Sequence, residues 1–233
     1  MRTAEKKTVG ADIFPAMGAL EIYQELLRAY GAPRWWSDDP YTVMFQAILV
    51  QNTSWKSVEK VTQSMGSQLC PDAVAQLSQE ALEDLIRPCG FCRAKASAIR
   101  ELTHWFSEYQ YNVECINARY TAPELRQVLL HLKGIGEETA DVLLVFAFNR
   151  ASFIVDAYTR RFLRRLGYVF SGDDAIRSFF EAGLPQDYKI YGWTHWLILD
   201  HGIQHCKKTP ACEGCPFRDD RGDGRPCPRR EGP

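Results

Sequence analysis

Along the chain, apolar positions recur with a helical period rather than in alternation. Leu20, Tyr23, Leu27 and Tyr30 fall at i, i+3, i+7 and i+10, and Leu125, Val128, Leu129 and Leu132 at i, i+3, i+4 and i+7. Both stripes predict amphipathic helices. Start signals agree with them: in "SDDPY" Asp39 precedes a proline suited to a first helical turn, and in "TAPE" Thr121 stands three residues before Glu124, the spacing of a capping box. The run after Pro40, "YTVMFQAILV", is apolar on nearly every side, as expected of a helix in the middle of a bundle. Further helices are predicted near 54–66, 78–88, 93–108, 137–149, 155–166, 173–183 and 187–205. Only "SFIV" looks strand-like, and the tail "RDDRGDGRPCPRREGP" is too rich in Gly, Pro and charge for a regular element. The predicted fold class is all-α.

Composition narrows the function classes more than it selects one. A chain of 233 residues with 45% hydrophobic content can build one large or two modest cores. The run "VMFQAILV" is too short to span a bilayer, and the N-terminal stretch shows no apolar segment of the signal-peptide kind. A cytoplasmic location is therefore expected, nucleoid-associated if the source is bacterial. Net charge is −1, so affinity for a polyanion must come from local clusters, such as Arg160, Arg161, Arg164 and Arg165 and the basic residues scattered from Lys207 to Arg230. Four of the eight cysteines crowd into residues 206 to 227, a lopsidedness that favours a metal site over a disulfide framework.

The chemistry concentrates in "HLKGIGEETADVLLVFAFNRASFIVDAYTRR", from His131 to Arg161. Gly134 and Gly136 lie between two predicted helices, where glycine opens backbone angles and lets a large ligand reach the peptide groups. Amides at the following helix N-terminus then suit a phosphate oxygen. Taken alone, a G-x-G in this setting is more often a plain tight turn.

The pattern L-x-G-x-G, followed by a helix and then by "VDAYTRR", resembles the helix-hairpin-helix plus Gly/Pro-Asp motif of the endonuclease III superfamily of DNA glycosylases, and the resemblance runs from about Trp35 to Cys227. It implies two helical domains. Residues 1–37 would supply an N-terminal helix that packs with the C-terminal domain, 38–145 a six-helix barrel holding the hairpin, and 146–233 the C-terminal domain with an iron-sulfur loop at 206–227. It also implies that the hairpin amides at Gly134 and Gly136 grip the DNA backbone and that Asp156 is catalytic; Lys133 reads as a phosphate contact or a solvated side chain, and Arg160 and Arg161 as local positive surface beside the phosphates. A carboxylate facing the anomeric carbon stabilises an oxocarbenium-like sugar or orients water. The same aspartate also fits a helix cap. Members that cut the strand carry a lysine two residues after the second glycine, where this chain has Glu138. The separation of 18 residues between 138 and 156 matches the lyase members. A carboxylate forms no imine, so the expected activity is a monofunctional glycosylase without AP lyase chemistry.

The stretch "RWWSDDPYTVMFQAILVQNTSW" is similar to the 3-methyladenine glycosylase branch, which implies a base pocket of Trp35, Trp36 and Trp55, and Gln51 and Asn52 filling the gap left by a flipped nucleotide; Glu138 either faces that pocket or is solvated. Indole faces prefer a cationic N-alkylated purine over neutral bases by about 0.5–2 kcal/mol. Trp35 equally suits a domain-junction core, and Gln51 and Asn52 equally suit a helix end. Cys206, Cys212, Cys215 and Cys227 form Cys-x5-Cys-x2-Cys-x11-Cys, where the family's 4Fe-4S loop reads x6, x2 and x5. Zinc is the rival ligand, with His201 and His205 close by, although zinc ribbons usually pair two Cys-x2-Cys knuckles. The pair Cys89 and Cys92 sits in "RPCGFCRAKA", where "GF" and "KA" carry the resemblance rather than the cysteines. The expected partner is duplex DNA containing a damaged base or an abasic site, bound by a monomer. Alternatives are an oxidised-pyrimidine glycosylase of the endonuclease III type and a non-catalytic iron-sulfur DNA-binding protein.

Overall fold

The structure is a computed structural model and describes residues 17–218. Among these residues the chain is all-helical. The helices run α1 (Ala19–Tyr30), α2 (Pro40–Leu49), α3 (Trp55–Met65), α4 (Pro71–Gln76), α5 (Gln79–Leu85), α6 (Cys92–Ser107), α7 (Val113–Arg119), α8 (Ala122–His131), α9 (Glu137–Phe146), α10 (Ala157–Arg165), α11 (Asp173–Gly183) and α12 (Tyr188–Gln204). No described helix is long and apolar enough to cross a membrane.

Local chemistry explains most boundaries. Asp39 caps α2 by accepting from the amides of Tyr41 and Thr42, and Pro40 takes the first turn, where its missing N–H costs nothing. Thr121 and Glu124 close the capping box of α8. α2 buries Tyr41 and every residue from Val43 to Leu49, as its all-round apolar character requires. Of the stripe expected on α1, Tyr23, Leu27 and Tyr30 pack, partly buried, against a hydrophobic cluster. Ala19, Ile22 and Leu26 form the fully buried face of the helix, while Leu20 is exposed, because the helix packs into a groove between α11 and α12 that fits the row one position back. The short helices α4 and α7 go unpredicted, since six or seven residues are too few to show a period.

Two hydrophobic clusters result. One joins α2, α3, α6, α8 and α9 around Phe45, Ile48, Ile99, Leu129 and Leu143. The other joins α1, α10, α11 and α12 around Ile22, Phe162 and Phe180, with Phe153 stacked on Phe180 at 4.0 Å. The strand-like "SFIV" is extended and fully buried but pairs with no strand among the described residues. Instead, the Phe153 amide donates to Glu181 at 2.8 Å, and the Ser152 hydroxyl donates to Asp141 at 2.7 Å. Asp141, on α9, also receives Arg126 of α8 at 2.7 Å and Arg177 of α11 at 2.7 Å. This buried ionic junction ties both clusters to the segment that leads into Asp156.

Candidate DNA-binding and base-excision site

The hairpin joins α8 to α9. Gly134 has φ +86, and a Cβ there would stand 2.5 Å from the Ala98 Cβ, so both the backbone and the approach of α6 demand glycine. Gly136 differs. Its φ is −92 and open space surrounds it, so it serves as the side-chain-free N-cap of α9 and leaves the first amides of that helix uncovered. Ile135 anchors the turn in the core, and Lys133 is exposed beside it. Gln51 donates to the Gly134 carbonyl at 3.1 Å and to the Thr139 hydroxyl at 3.0 Å, which fastens the loop after α2 to the hairpin. Its neighbour Asn52 is exposed with a left-handed backbone (φ 51).

Asp156 is buried and caps α10, accepting from the Thr159 amide at 2.6 Å. Behind it, on α12, is His195, which burial pushes toward neutrality while the Asp156 carboxylate and the Ile154 carbonyl pull the other way. In front, on the first turn of α9, is Glu138, whose carboxyl is pushed up to about 7. The crowding of protein around it is the main cause, and the negative charge of Asp156 adds to it against the opposing pull of Arg160. Glu138 itself remains solvent-accessible, so water screens part of this effect. The N-termini of α9 and α10 thus hold two carboxylates within electrostatic reach of each other.

The two arginines have different surroundings. Arg160 is exposed and pairs with Asp173 at 3.4 Å. Arg161 lies over the Tyr158 ring at 4.6 Å and donates to the Cys206 carbonyl at 2.7 Å. That second guanidinium is occupied in holding the cysteine loop.

The tryptophans divide as well. Trp36 donates to Gln46 at 2.6 Å and meets Trp55, Phe146 and Trp196 at ring separations of 5.5, 5.3 and 6.3 Å. Trp55 is 37% exposed. Trp35 instead wedges between Phe146 at 4.8 Å and Tyr188 at 5.7 Å, against Gly192, and lines a cavity of about 260 Å³ by the start of α2 and the end of α9. Trp35 and Trp36 thus share Phe146 but have different further neighbours, Tyr188 and Gly192 for the first and Gln46, Trp55 and Trp196 for the second. Sequence reasoning missed Gln46 and Trp196, whose indole bonds to Asp200. It also missed Phe91, an aromatic side chain 70% exposed in a left-handed backbone (φ 49). Trp196 lies on a helix apolar all round, which erases periodic cues. For Phe91 the "GF" pair was the available signal.

Three of the four cluster cysteines are described, and Cys227, like Arg221 to Arg230, lies outside the described residues. Among the described residues no three His, Cys, Asp or Glu side chains form a group ready to hold a metal ion. The surroundings nevertheless suit thiolates. Arg165 reaches the Cys206 sulfur at 3.2 Å, and the Cys215 sulfur is 3.9 Å from Nε2 of His201, whose Nδ1 faces the Tyr30 hydroxyl at 2.8 Å. The donor chemistry fits a thiolate-held cluster anchored beside α1, α10 and α12.

A hairpin that leaves its amides uncovered, followed by a capped, buried aspartate, is the arrangement that the helix-hairpin-helix resemblance implies. A model of the HhH-GPD superfamily of base excision DNA repair proteins matches residues 45–185, and the chain belongs to that superfamily. Over 205 residues it is 38% identical to a Methanocaldococcus jannaschii protein provisionally named as a DNA repair glycosylase, covering 85% of this chain and 93% of that one. Over 186 residues it is 28% identical to endonuclease III of Sulfolobus acidocaldarius, covering 77% and 80% respectively. Among solved structures, the H. pylori 3-methyladenine DNA glycosylase bound to 1,N6-ethenoadenine superposes with a TM-score of 0.69 at 25% identity, over 81% of this chain and 98% of that one. A non-covalent endonuclease III–DNA complex shares the fold with a TM-score of 0.69 at 24% identity, over 86% and 93%.

Proposed function

We propose that the protein is a monofunctional DNA glycosylase that hydrolyses the N-glycosidic bond of N-alkylated purines in duplex DNA. The observation that carries this reading is Glu138 opposite Asp156, a second carboxylate where a strand-cutting relative would hold its amine. Asp156, fixed by its cap bond, stabilises the positive charge that develops on the sugar as the base leaves. Glu138 has no amine nitrogen with which to form an imine, so the product is an abasic site. An alkylated purine already carries positive charge and leaves without much acid assistance. Trp36 and Trp55, with Trp196 behind them, present electron-rich faces to such a base. Gly134, Gly136, Lys133 and Arg160 hold the backbone.

In this reading the domains divide at about residues 37 and 145, with the extruded nucleotide between them. Cys206, Cys212, Cys215 and Cys227 hold a 4Fe-4S cluster, whose contribution when bound is to fasten the loop after α12. Arg161 and Arg165 clamp that same loop from α10. Similarity to endonuclease III keeps the oxidised-pyrimidine glycosylase offered by the sequence as the second reading.

The direct test is the state of the DNA product. Methylated duplex should lose 3-methyladenine, the strand should break only after alkali, and borohydride should trap no enzyme–DNA adduct. The Glu138→Lys variant should become trappable. Trapping of the wild-type chain would overturn the monofunctional assignment, and release of thymine glycol in place of methylpurines would favour the second reading.

A further inference from the structure

Lys95 is 3% exposed, yet no carboxylate answers its charge among the contacts of its ammonium. Its Nζ donates to the Leu49 carbonyl at 2.8 Å, the Thr53 hydroxyl at 2.7 Å and the Cys89 carbonyl at 2.9 Å. The first of these is the C-terminal carbonyl of α2, where the helix dipole favours a cation. The Thr53 hydroxyl donates in turn to the Cys89 carbonyl, joining the two loops directly. The backbone amide of Lys95 donates to the Phe91 carbonyl at 3.0 Å. One residue therefore bonds the loop carrying Asn52 and the loop carrying Phe91. Both of those residues are exposed, and both hold left-handed backbones, uncommon for L residues and most so for a bulky one such as Phe91.

A methionine or leucine would fill the same volume, so burial alone does not explain an ammonium here. What the ammonium adds is a fixed distance between three acceptors on two loops. Flipping a nucleotide requires side chains that hold the duplex open while the base is out of the stack. A mobile pair would lose that function to its own conformational freedom.

We propose that Lys95 is a positioning residue that locks Asn52 and Phe91 into one rigid two-pronged wedge for entering duplex DNA. The inference rests on duplex DNA being the partner, but not on which base is excised.

The test uses a duplex with an abasic-site analogue opposite 2-aminopurine, whose fluorescence rises when it is unstacked, so the readout needs no base release. The wild-type protein should raise the signal at saturation. Phe91→Ala and Lys95→Met should each lose most of the rise, and the double variant should lose no more than either single one, because both act on one wedge. On an excisable substrate, Lys95→Met should lower kcat/KM about tenfold when the damaged base is paired, and by less than about threefold when it faces no partner and flipping costs little. A folded Lys95→Met protein with the wild-type rise, or losses that add in the double variant, would overturn the proposal. If Lys95→Met does not fold, Thr53→Val carries the test. It removes one Lys95 acceptor and the direct loop-to-loop bond, so a partial loss of the rise supports the wedge and a wild-type rise overturns it. Wild-type unstacking without base release would refute the proposed substrate and leave the wedge intact.

Discussion

Replacing Asp141 with asparagine tests how the segment leading to Asp156 is held. The Asp141 side chain is 1% exposed and accepts from Arg126, Arg177 and Ser152, with the arginine side chains only 18% and 13% exposed. Asparagine keeps the shape and one acceptor oxygen but leaves two guanidinium groups without the buried anion between them. Breaking a buried pair from one side costs about 3–5 kcal/mol. Outer partners recover part of that, since Arg126 lies 3.5 Å from Glu137 and Arg177 lies 2.6 Å from Asp174. Those acids are exposed, so each contact recovers at most about 1 kcal/mol. The net loss is about 2–4 kcal/mol, which at about 2–4 °C per kcal/mol for a chain of this size lowers the melting temperature by about 5–15 °C. Urea titration of wild type and Asp141→Asn at pH 7, followed by circular dichroism, measures it. A loss below about 1 kcal/mol with unchanged m-value would show that the junction is solvated in solution, and the argument from burial would fail.

Glu138→Gln should alter the pH dependence of stability. A carboxyl raised to about 7 by crowding and by Asp156 favours the folded state most below its unfolded pKa and loses that contribution as pH rises through 7. Glutamine removes the late ionisation, so the melting temperature of the variant relative to wild type should be more positive at pH 8 than at pH 5, and an unchanged difference would contradict the pairing. Trp55→Leu keeps an apolar side chain but removes the indole face. It should reduce the preference for cationic over neutral bases by about five- to thirty-fold, as the worth of a desolvated cation–π contact implies, measured as the ratio of single-turnover rates on methylpurine and neutral-base duplexes. Cys212→Ser should strip iron and the visible iron-sulfur absorbance from the purified protein. Stoichiometric zinc in the wild-type chain would replace the cluster with the rival metal.

Local signals carried far because most elements here are bounded by local chemistry. Asp39 with Pro40 and Thr121 with Glu124 announce helix starts that tertiary packing does not disturb. Asp156 was legible both as a cap and, through the spacing from Glu138, as a member of a known motif. What escaped depends on distant neighbours. The fully buried row of α1, Ala19, Ile22 and Leu26, is set by α11 and α12, while the predicted Tyr23, Leu27 and Tyr30 pack partly buried beside it. The two glycines look equivalent in sequence, yet only Gly134 meets another helix, at Ala98. Arg161 reads as a surface cation until the cysteine loop folds over it. Lys95 looks like a solvated lysine on α6, and its burial follows from two loops that converge only in three dimensions. Trp35 and Trp36 both pack on Phe146, yet it is Trp36 that meets Trp55 and Trp196, a difference their adjacency in sequence does not announce.

The most direct test of the account is single-turnover base release from methylated duplex DNA by the wild-type protein and its Asp156→Asn variant. Asparagine caps helices about as well as aspartate, so the variant should melt within about 0.5 kcal/mol of wild type. Removing the charge that faces the sugar should slow 3-methyladenine release by about 10²-fold or more. Release by the folded variant at the wild-type rate would contradict Asp156 as the catalytic group.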